Sequence, residues 1–240
     1  MKLPLFYNAA IDSITTSVEL DEATSKHIIQ VLRMQVGEQL QLTNGKGMLL
    51  TAAITNDNRK KVVVAIHHTE KSKAYPSKIS IAISPVKNNT RFEWFLEKAT
   101  EIGVAEIIPL ICARTEKQQF KWERMNAILV SAMLQSQQVW LPVLREPIKF
   151  SKYLSDLNRA PSLLKMIAHC EDENKKQSLQ KIADPASAQL ILIGPEGDFT
   201  PQEIDDALQN GCVPVSLGNT RLRTETAGIV AAALLCIKND

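Results

Sequence analysis

The chain changes its hydrophobic rhythm once, and that change limits the folds open to it. Between Glu38 and His68, short partly alternating runs (EQLQLT, GMLLTAAIT and KVVVAIHH) are separated by NGKG and NDNRK, both of which suit tight turns. After Lys78 the strand-like runs KISIAIS, AEIIPLICA, SLLKMIAH, QLILIG and VPVSLG are interleaved with the helical patterns TRFEWFLEKATEIG, WERMNAILVSAMLQSQQ and TAGIVAAALLCIK. Parallel strands need a long crossover, and a helix supplies it. The second stretch therefore predicts an α/β fold, a mostly parallel sheet with helices on both faces. Residues 1–72 predict a small β-barrel or rolled sheet carrying one helix, and residues 73–240 the α/β domain, with the charged, proline-containing EKSKAYPSK as linker. The helix of the first domain, DEATSKHIIQVLRM, is expected to place Ile28, Val31 and Leu32 on one side and to expose Lys26 and Arg33.

Local signals fix several helix ends. Thr90 and Glu93 have capping-box spacing and Gly103 reads as a stop. Thr200-Pro201-Gln202-Glu203 combines a cap, a first-turn proline and a capping-box glutamate. Apolar residues at 45% and charged ones at 22% describe a soluble globular chain. The longest apolar stretches, such as IVAAALLCI, are about half of a membrane span, and MKLPLFYNAA turns polar too early for a secretory signal. A cytoplasmic protein with no membrane partner is expected. Cys112, Cys170, Cys212 and Cys236 are far apart and lack histidines at ligand spacing, so they read as reduced thiols and no metal is expected. His67 and His68 are adjacent in a strand, and His169 ends an apolar run.

A formal net charge of +2 conceals an asymmetry: nine Lys or Arg against three Glu from Arg59 to Lys98, and nine acidic residues against three lysines from Cys170 to Asp206. The basic stretch can track a phosphate backbone or form a solvated face.

Two turns carry the strongest chemical signal. LILIGPEGDFTPQEI is a strand, a turn with two glycines and a glutamate, and a capped helix; LGNTRLRTETAG follows the next strand. In open α/β sheets, ligands bind beyond the carboxyl ends of strands, where both turns lie. Gly194, Gly197 and Gly218 permit close backbone approach or positive φ. Side by side, such loops make a slot lined by N–H and C=O groups, suited to the edge of an adenine. A phosphate cradle is not indicated, because G-x-x-x-x-G-K-[ST] is absent and the first strand leads into PVKNN rather than G-x-G-x-x-G. Arg221, Arg223 and Glu225 flank Thr224 and Thr226 just before the last helix, where they would hold a nucleotide or phosphate, or form a surface pair and a cap.

These two segments resemble the C-terminal signatures of the RsmE family, the 16S ribosomal RNA uracil-N3 methyltransferases of the SPOUT class. HIIQVLRMQVGE, KNNTRFEWFLEKATEIGVAEIIPLICART and LQSQQVWLPVL are similar to further blocks of that family, so the resemblance spans nearly the whole chain. Two departures stand out: Asp198 replaces the second glycine of the family's Gly-Gly, and an arginine that many members carry near Gln138 is missing. Aspartate tolerates unusual backbone angles, so the turn is expected to survive.

The resemblance implies a PUA-like N-terminal RNA-binding β-barrel and a SPOUT domain with a C-terminal trefoil knot, a feature that no pattern in the sequence would suggest. It implies S-adenosyl-L-methionine as methyl donor, 16S rRNA in the small ribosomal subunit as substrate, and a homodimer. Ile193, Gly194, Glu196, Gly197, Leu217, Gly218, Asn219 and Leu222 would frame the cofactor. Arg223 would stabilise the developing uracil anion, with Glu225 orienting it or accepting a proton. Arg33, Lys87 and Arg91 would contact RNA, the last two from one face of a helix start. Methylation of another RNA position, such as a ribose 2′-oxygen, and a non-catalytic RNA-binding assembly factor remain the alternatives.

Overall fold

The turn-separated runs near the N-terminus do become one small sheet. In the computed structural model, which describes residues 3–72, 78–116, 119–157, 163–171, 176–183 and 187–237, β1 (Leu5–Tyr7), β2 (Ser17–Glu19), β3 (Gln39–Thr43), β4 (Met48–Asn56) and β5 (Val63–Lys71) pair in the order β1-β3-β4-β5-β2. Only β1 and β3 run parallel; the other pairs are antiparallel. Alternate residues Leu40, Leu42, Leu50, Ala52, Ile54 and Val64 point inward and are essentially inaccessible, closing over Ile28.

The short helix α1 (Glu22–Lys26) is capped by Asp21, whose Oδ1 accepts the Thr24 N–H at 2.9 Å. Here the structure departs from the expected continuous helix. His27–Val31 forms a π-helical turn and Arg33 is left-handed at φ 57°. The wider turn rotates the stripe read from a 3.6-residue period, so Ile28 stays buried while Val31 and Leu32 are 65% and 41% exposed.

The chain forms two compact units, Met1–Tyr75 with Met133–Leu141, and Pro76–Ala132 with Pro142–Asp240. In the first, Met133–Leu141 is held through Gly47 N–H to Val139 O and Leu141 N–H to Gly45 O, each 2.9 Å. Gln138, near which the resemblance led us to expect an arginine, donates to Ser136 Oγ at 2.9 Å. Most of the expected linker, residues 73–77, lies outside the described residues.

The second unit contains β6 (Ile79–Ile83), α2 (Asn89–Ile102), β7 (Glu106–Ile111), α3 (Trp122–Gln135) up to Ala132, β8 (Val143–Leu144), β9 (Ile148–Lys149), α4 (Phe150–Leu157), β10 (Leu164–Ala168), β11 (Gln177–Ser178), α5 (Leu179–Ile182), β12 (Gln189–Ile193), α6 (Pro201–Gln209), β13 (Val213–Ser216) and α7 (Thr224–Cys236). Its sheet runs β11-β13-β10-β12-β6-β7-β8, with β9 also on β7, and every described pairing is parallel. The central strand β12 is buried along its whole length, as a strand covered on both faces must be. Against one face lie Phe150, Leu154, Phe199, Ile204 and Ala207 from α4, α6 and the turn before α6. Helices α2 and α7 pack together, and α7 lies on β6 and β12.

The Thr200–Glu203 capping box forms as expected, and Gly103 ends α2 at φ 99°. The start of α2 differs from expectation: the cap is Asn88, whose Oδ1 accepts the Arg91 N–H, and Glu93 pairs instead with Arg124. The asparagine stands two residues earlier, at the N-cap position itself, with its side-chain oxygen beside the free N–H groups.

Candidate active site

The sheet order brings three strand ends side by side. β10 lies between β12 and β13, so the segments after Ala168, Ile193 and Ser216 converge at one edge. Between them and the start of α7 is a cavity of about 790 Å³, within the usual size of a cofactor site.

The first turn is held from several directions. Asp198 N–H donates to Pro195 O at 2.9 Å, and Asp198 takes φ 64°. The aspartate is thus left-handed where a glycine is usual, and its carboxylate gains two donors: Cys170 N–H at 2.7 Å and Phe199 N–H at 2.8 Å. The first of these ties the end of β10 to the turn. Arg114 Nη1 donates to Gly197 O at 2.7 Å and Phe199 O at 3.3 Å. Lys87 N–H donates to Glu196 Oε1 at 3.1 Å, and Thr224 Oγ1 donates to Gly194 O at 3.1 Å. Gly194 fits a tight place, since a Cβ there would lie 3.0 Å from Phe199 N and 3.1 Å from its ring, and the turn would have to give by a few tenths of an ångström.

The second turn is looser. Ser216 Oγ donates to Gly218 O at 2.9 Å and accepts Gly218 N–H at 3.3 Å. Gly218 has φ 147° with nothing within 4 Å of a Cβ position. Its requirement is the backbone angle and the open space in front of it.

Ten of the expected residues line the cavity: Ile193, Gly194, Glu196, Leu217, Gly218, Asn219, Leu222, Arg223, Glu225 and Arg91. Gly197 does not line it and backs onto Arg114, 3.3 Å from the Cδ that a Cβ would meet. Lys87 is also outside the lining; it precedes the cap of α2, so it does not share a helical face with Arg91, and its Nζ pairs with Glu116 at 3.1 Å. Arg33 belongs to the first unit. Sequence reasoning missed Asp198, Cys170 and His169 as lining residues. The signal available was the apolar run ending at His169, whose neighbours in the sheet no local pattern specifies.

Charge is arranged around the start of α7. Glu225 is 5% exposed, and Arg91 Nε approaches its Oε1 at 3.8 Å. The carboxylate therefore pairs with Arg91, from α2, rather than with Arg223. Arg223 is the residue preceding α7, exposed, with no side-chain cap bond. The start of α7, with the positive end of its helix dipole, lines the cavity, as do Arg91, Arg221 and Arg223. Glu196 and Asp198 stand on the opposite turn, and Ala168, Ile193, Val215 and Leu217 supply apolar wall. Apolar wall, two carboxylates and three guanidinium groups around one cavity suit a nucleoside with an amino-acid tail. Among the described residues no cluster of three His, Cys, Asp or Glu is placed to hold a metal ion, and no helix is long and apolar enough to cross a membrane.

Comparison with known proteins agrees with this geometry. Residues 73–236 match the RNA methyltransferase domain and residues 20–66 the RNA methyltransferase PUA domain. The ribosomal RNA small subunit methyltransferase E of Synechocystis is 30% identical over 223 residues, covering 92% of this chain and 73% of that protein. The crystal structure of a probable rRNA-methyltransferase from Porphyromonas gingivalis superposes with TM-score 0.89 at 39% identity, over 98% of this chain and 100% of the other. The ribosomal RNA small subunit methyltransferase E of Neisseria gonorrhoeae, solved bound to S-adenosyl methionine, superposes with TM-score 0.85 at 30% identity, over 97% and 96%. The chain belongs to the RsmE family of SPOUT-class ribosomal RNA methyltransferases.

Proposed function

We propose that this chain transfers the methyl group of S-adenosylmethionine to N3 of one uridine in 16S rRNA. The observation that carries the reading is the cavity itself, set at three parallel strand ends, framed by two glycine turns and bordered by Arg223 and by Arg91 paired with Glu225. Bound there, the cofactor supplies an electrophilic methyl group on a positively charged sulfur. The protein must do the rest: exclude water, align N3, and manage a proton and a developing charge. Uracil N3 carries a proton, which leaves as the N–C bond forms. Arg223, which lines the cavity without an ion-pair partner among the described residues, would neutralise charge on the uracil oxygens. Glu225 orients Arg91 and is the carboxylate available to take the proton. Arg33 and Lys87 contact the RNA, Arg33 beside the exposed Val31 and Leu32 of the first unit. The test is mass spectrometry of rRNA from cells with and without the protein. Loss of one N3-methyluridine from 16S rRNA is expected; loss of a ribose 2′-O-methyl group, or no loss, would overturn the reading.

Cofactor placement makes a narrower prediction. Gly218→Val puts a branched side chain at φ 147°, in the space in front of the second turn. Calorimetry should show S-adenosylmethionine affinity reduced at least tenfold in a folded variant; unchanged affinity would remove the cofactor from this slot.

The knot and the homodimer belong to the same proposal. In support of the knot, β13 pairs beside β10 while the following α7 packs across on α2, β6 and β12. In support of the dimer, α7 is apolar around its circumference, yet Ile229, Val230, Ala233 and Leu234 are only partly buried and Ile237 is 66% exposed. Trp94 on α2 is another large exposed apolar residue, at 46%. Leu234→Arg should convert a dimer to a monomer in light scattering. A dimer that persists in this variant would place the interface elsewhere.

A further inference from the structure

Arg114 follows β7 and does not line the cavity, yet it is bonded to the turn that does. Its Nη1 donates to Gly197 O at 2.7 Å and to Phe199 O at 3.3 Å, the carbonyls of the residues on either side of Asp198. Asp198 is the residue of this turn in the left-handed region, at φ 64°. For a residue with a side chain, that conformation persists only where the surroundings impose it. The guanidinium therefore clamps the strained stretch from outside the cavity, while Glu196 and Asp198 line it.

The arginine stem gives a reason for Gly197. A Cβ there would stand 3.3 Å from Arg114 Cδ and 3.5 Å from its Cβ, and Gly197 is not left-handed. Its missing side chain makes room for Arg114 and serves no unusual backbone angle. The root of the arginine is fixed as well. Ala113 N–H donates to Glu203 Oε1 at 2.8 Å, and Glu203 also closes the capping box that follows the turn. Thr115 Oγ1 accepts Cys112 N–H at 2.9 Å and bonds Ser84 Oγ at 2.8 Å. A planar head on so anchored a stem loses little freedom when it binds.

We propose that Arg114 is a positioning residue for methyl transfer. Through the carbonyls of Gly197 and Phe199 it sets the conformation in which the first turn meets the cofactor, and Gly197 is the space that admits it. The inference rests on the cofactor reading above. A phosphate contact with RNA is the rival role, because Arg114 is exposed. The two acceptors already in place within the turn favour positioning.

The experiment is calorimetric titration of S-adenosylmethionine into the full-length protein, beside melting curves, RNA binding and single-turnover rates. Arg114→Ala should weaken cofactor binding about tenfold, the lower end for a charged hydrogen bond because the residue is exposed. Its melting temperature should stay near that of wild type, as for other surface substitutions. The rate at saturating cofactor should stay within a few-fold, so the loss falls on KM for the cofactor and not on kcat. Arg114→Lys keeps the charge but ends one bond short of Nη1, and should recover part of the affinity. Gly197→Ala should weaken binding several-fold in wild type. It should add little in the Arg114→Ala background, where the crowding Cδ is gone and the remaining Cβ contact, at 3.5 Å, is ordinary. A folded Arg114→Ala protein of wild-type cofactor affinity would overturn the proposal, as would losses that add in the Gly197 pair. Weaker RNA binding with a flatter salt dependence and unchanged cofactor affinity would make Arg114 a phosphate contact, which also overturns it. So would a lowered melting temperature with an equal fall in the rate at saturating cofactor, the mark of a merely structural residue. Failure of wild type to bind S-adenosylmethionine would instead defeat the cofactor reading beneath it.

Discussion

Arg223→Ala should slow single-turnover methyl transfer by ~10²–10³, or roughly 3–4 kcal/mol, with little loss of affinity for either substrate. The expectation follows from where the charge is needed. Neutral uracil has no demand for a guanidinium, and the demand appears only as N3 gives up its proton, so the contact is worth more in the transition state than before it. Arg223 lines the cavity, is solvent-accessible and is not committed to an ion pair among the described residues. Arg223→Lys keeps the charge but loses the planar fork, and should recover only part of the rate. Arg91 provides the internal comparison, since its guanidinium is already held by Glu225. If the Arg223→Ala enzyme reaches the normal rate at saturating RNA, the residue is a binding contact. The larger rate loss would then be sought in Arg91→Ala.

What the sequence revealed about this site, and what it hid, divides along a physical line. Turns, caps and strand–helix alternation are set by neighbouring residues, so GPEGD after a buried strand, the Thr200–Glu203 box and the Gly103 stop were legible. The left-handed angle of Asp198 was legible for the same reason, as a turn needing positive φ with no second glycine to supply it. The order of strands is not local. Nothing in VPVSLG says that β13 will lie beside β10, and that adjacency brings His169 and Cys170 into the cavity. The partner of Glu225 was hidden likewise, because Arg91 arrives from another helix. In the first unit, a π-helical turn broke the 3.6-residue period, which is why Val31 and Leu32 face out instead of in. The choice of Asn88 over Thr90 as a cap was a contest between two local signals, decided by which side chain stood next to the free N–H groups.

Gly228→Val should be the most damaging single change to the second unit. At this position in α7 two effects oppose each other. Helix propensity favours every residue but proline over glycine, by up to about 1 kcal/mol for alanine. Space disfavours it, because a Cβ would lie 2.6 Å from Phe95 Cε2, 2.7 Å from Cδ2 and 2.9 Å from Ile83 Cδ1. Phe95 and Ile83 are both fully buried, so neither can swing into solvent to make room. Overpacking a fixed core costs about 1–3 kcal/mol for a small group and more for a branched one. Alanine should therefore come out destabilising by about 1–2 kcal/mol despite its propensity, and valine by about 3 kcal/mol or more. The same displacement reaches the site, because α7 begins at Thr224 and Glu225, which hold Gly194 and Arg91. Cofactor affinity should thus fall together with the melting temperature. Phe95→Leu, which removes the obstructing ring edge, should recover part of the loss in the Gly228→Ala background although it is destabilising alone. Additive losses in that pair, or a valine variant that melts with wild type, would show that α7 can move away from α2 without cost.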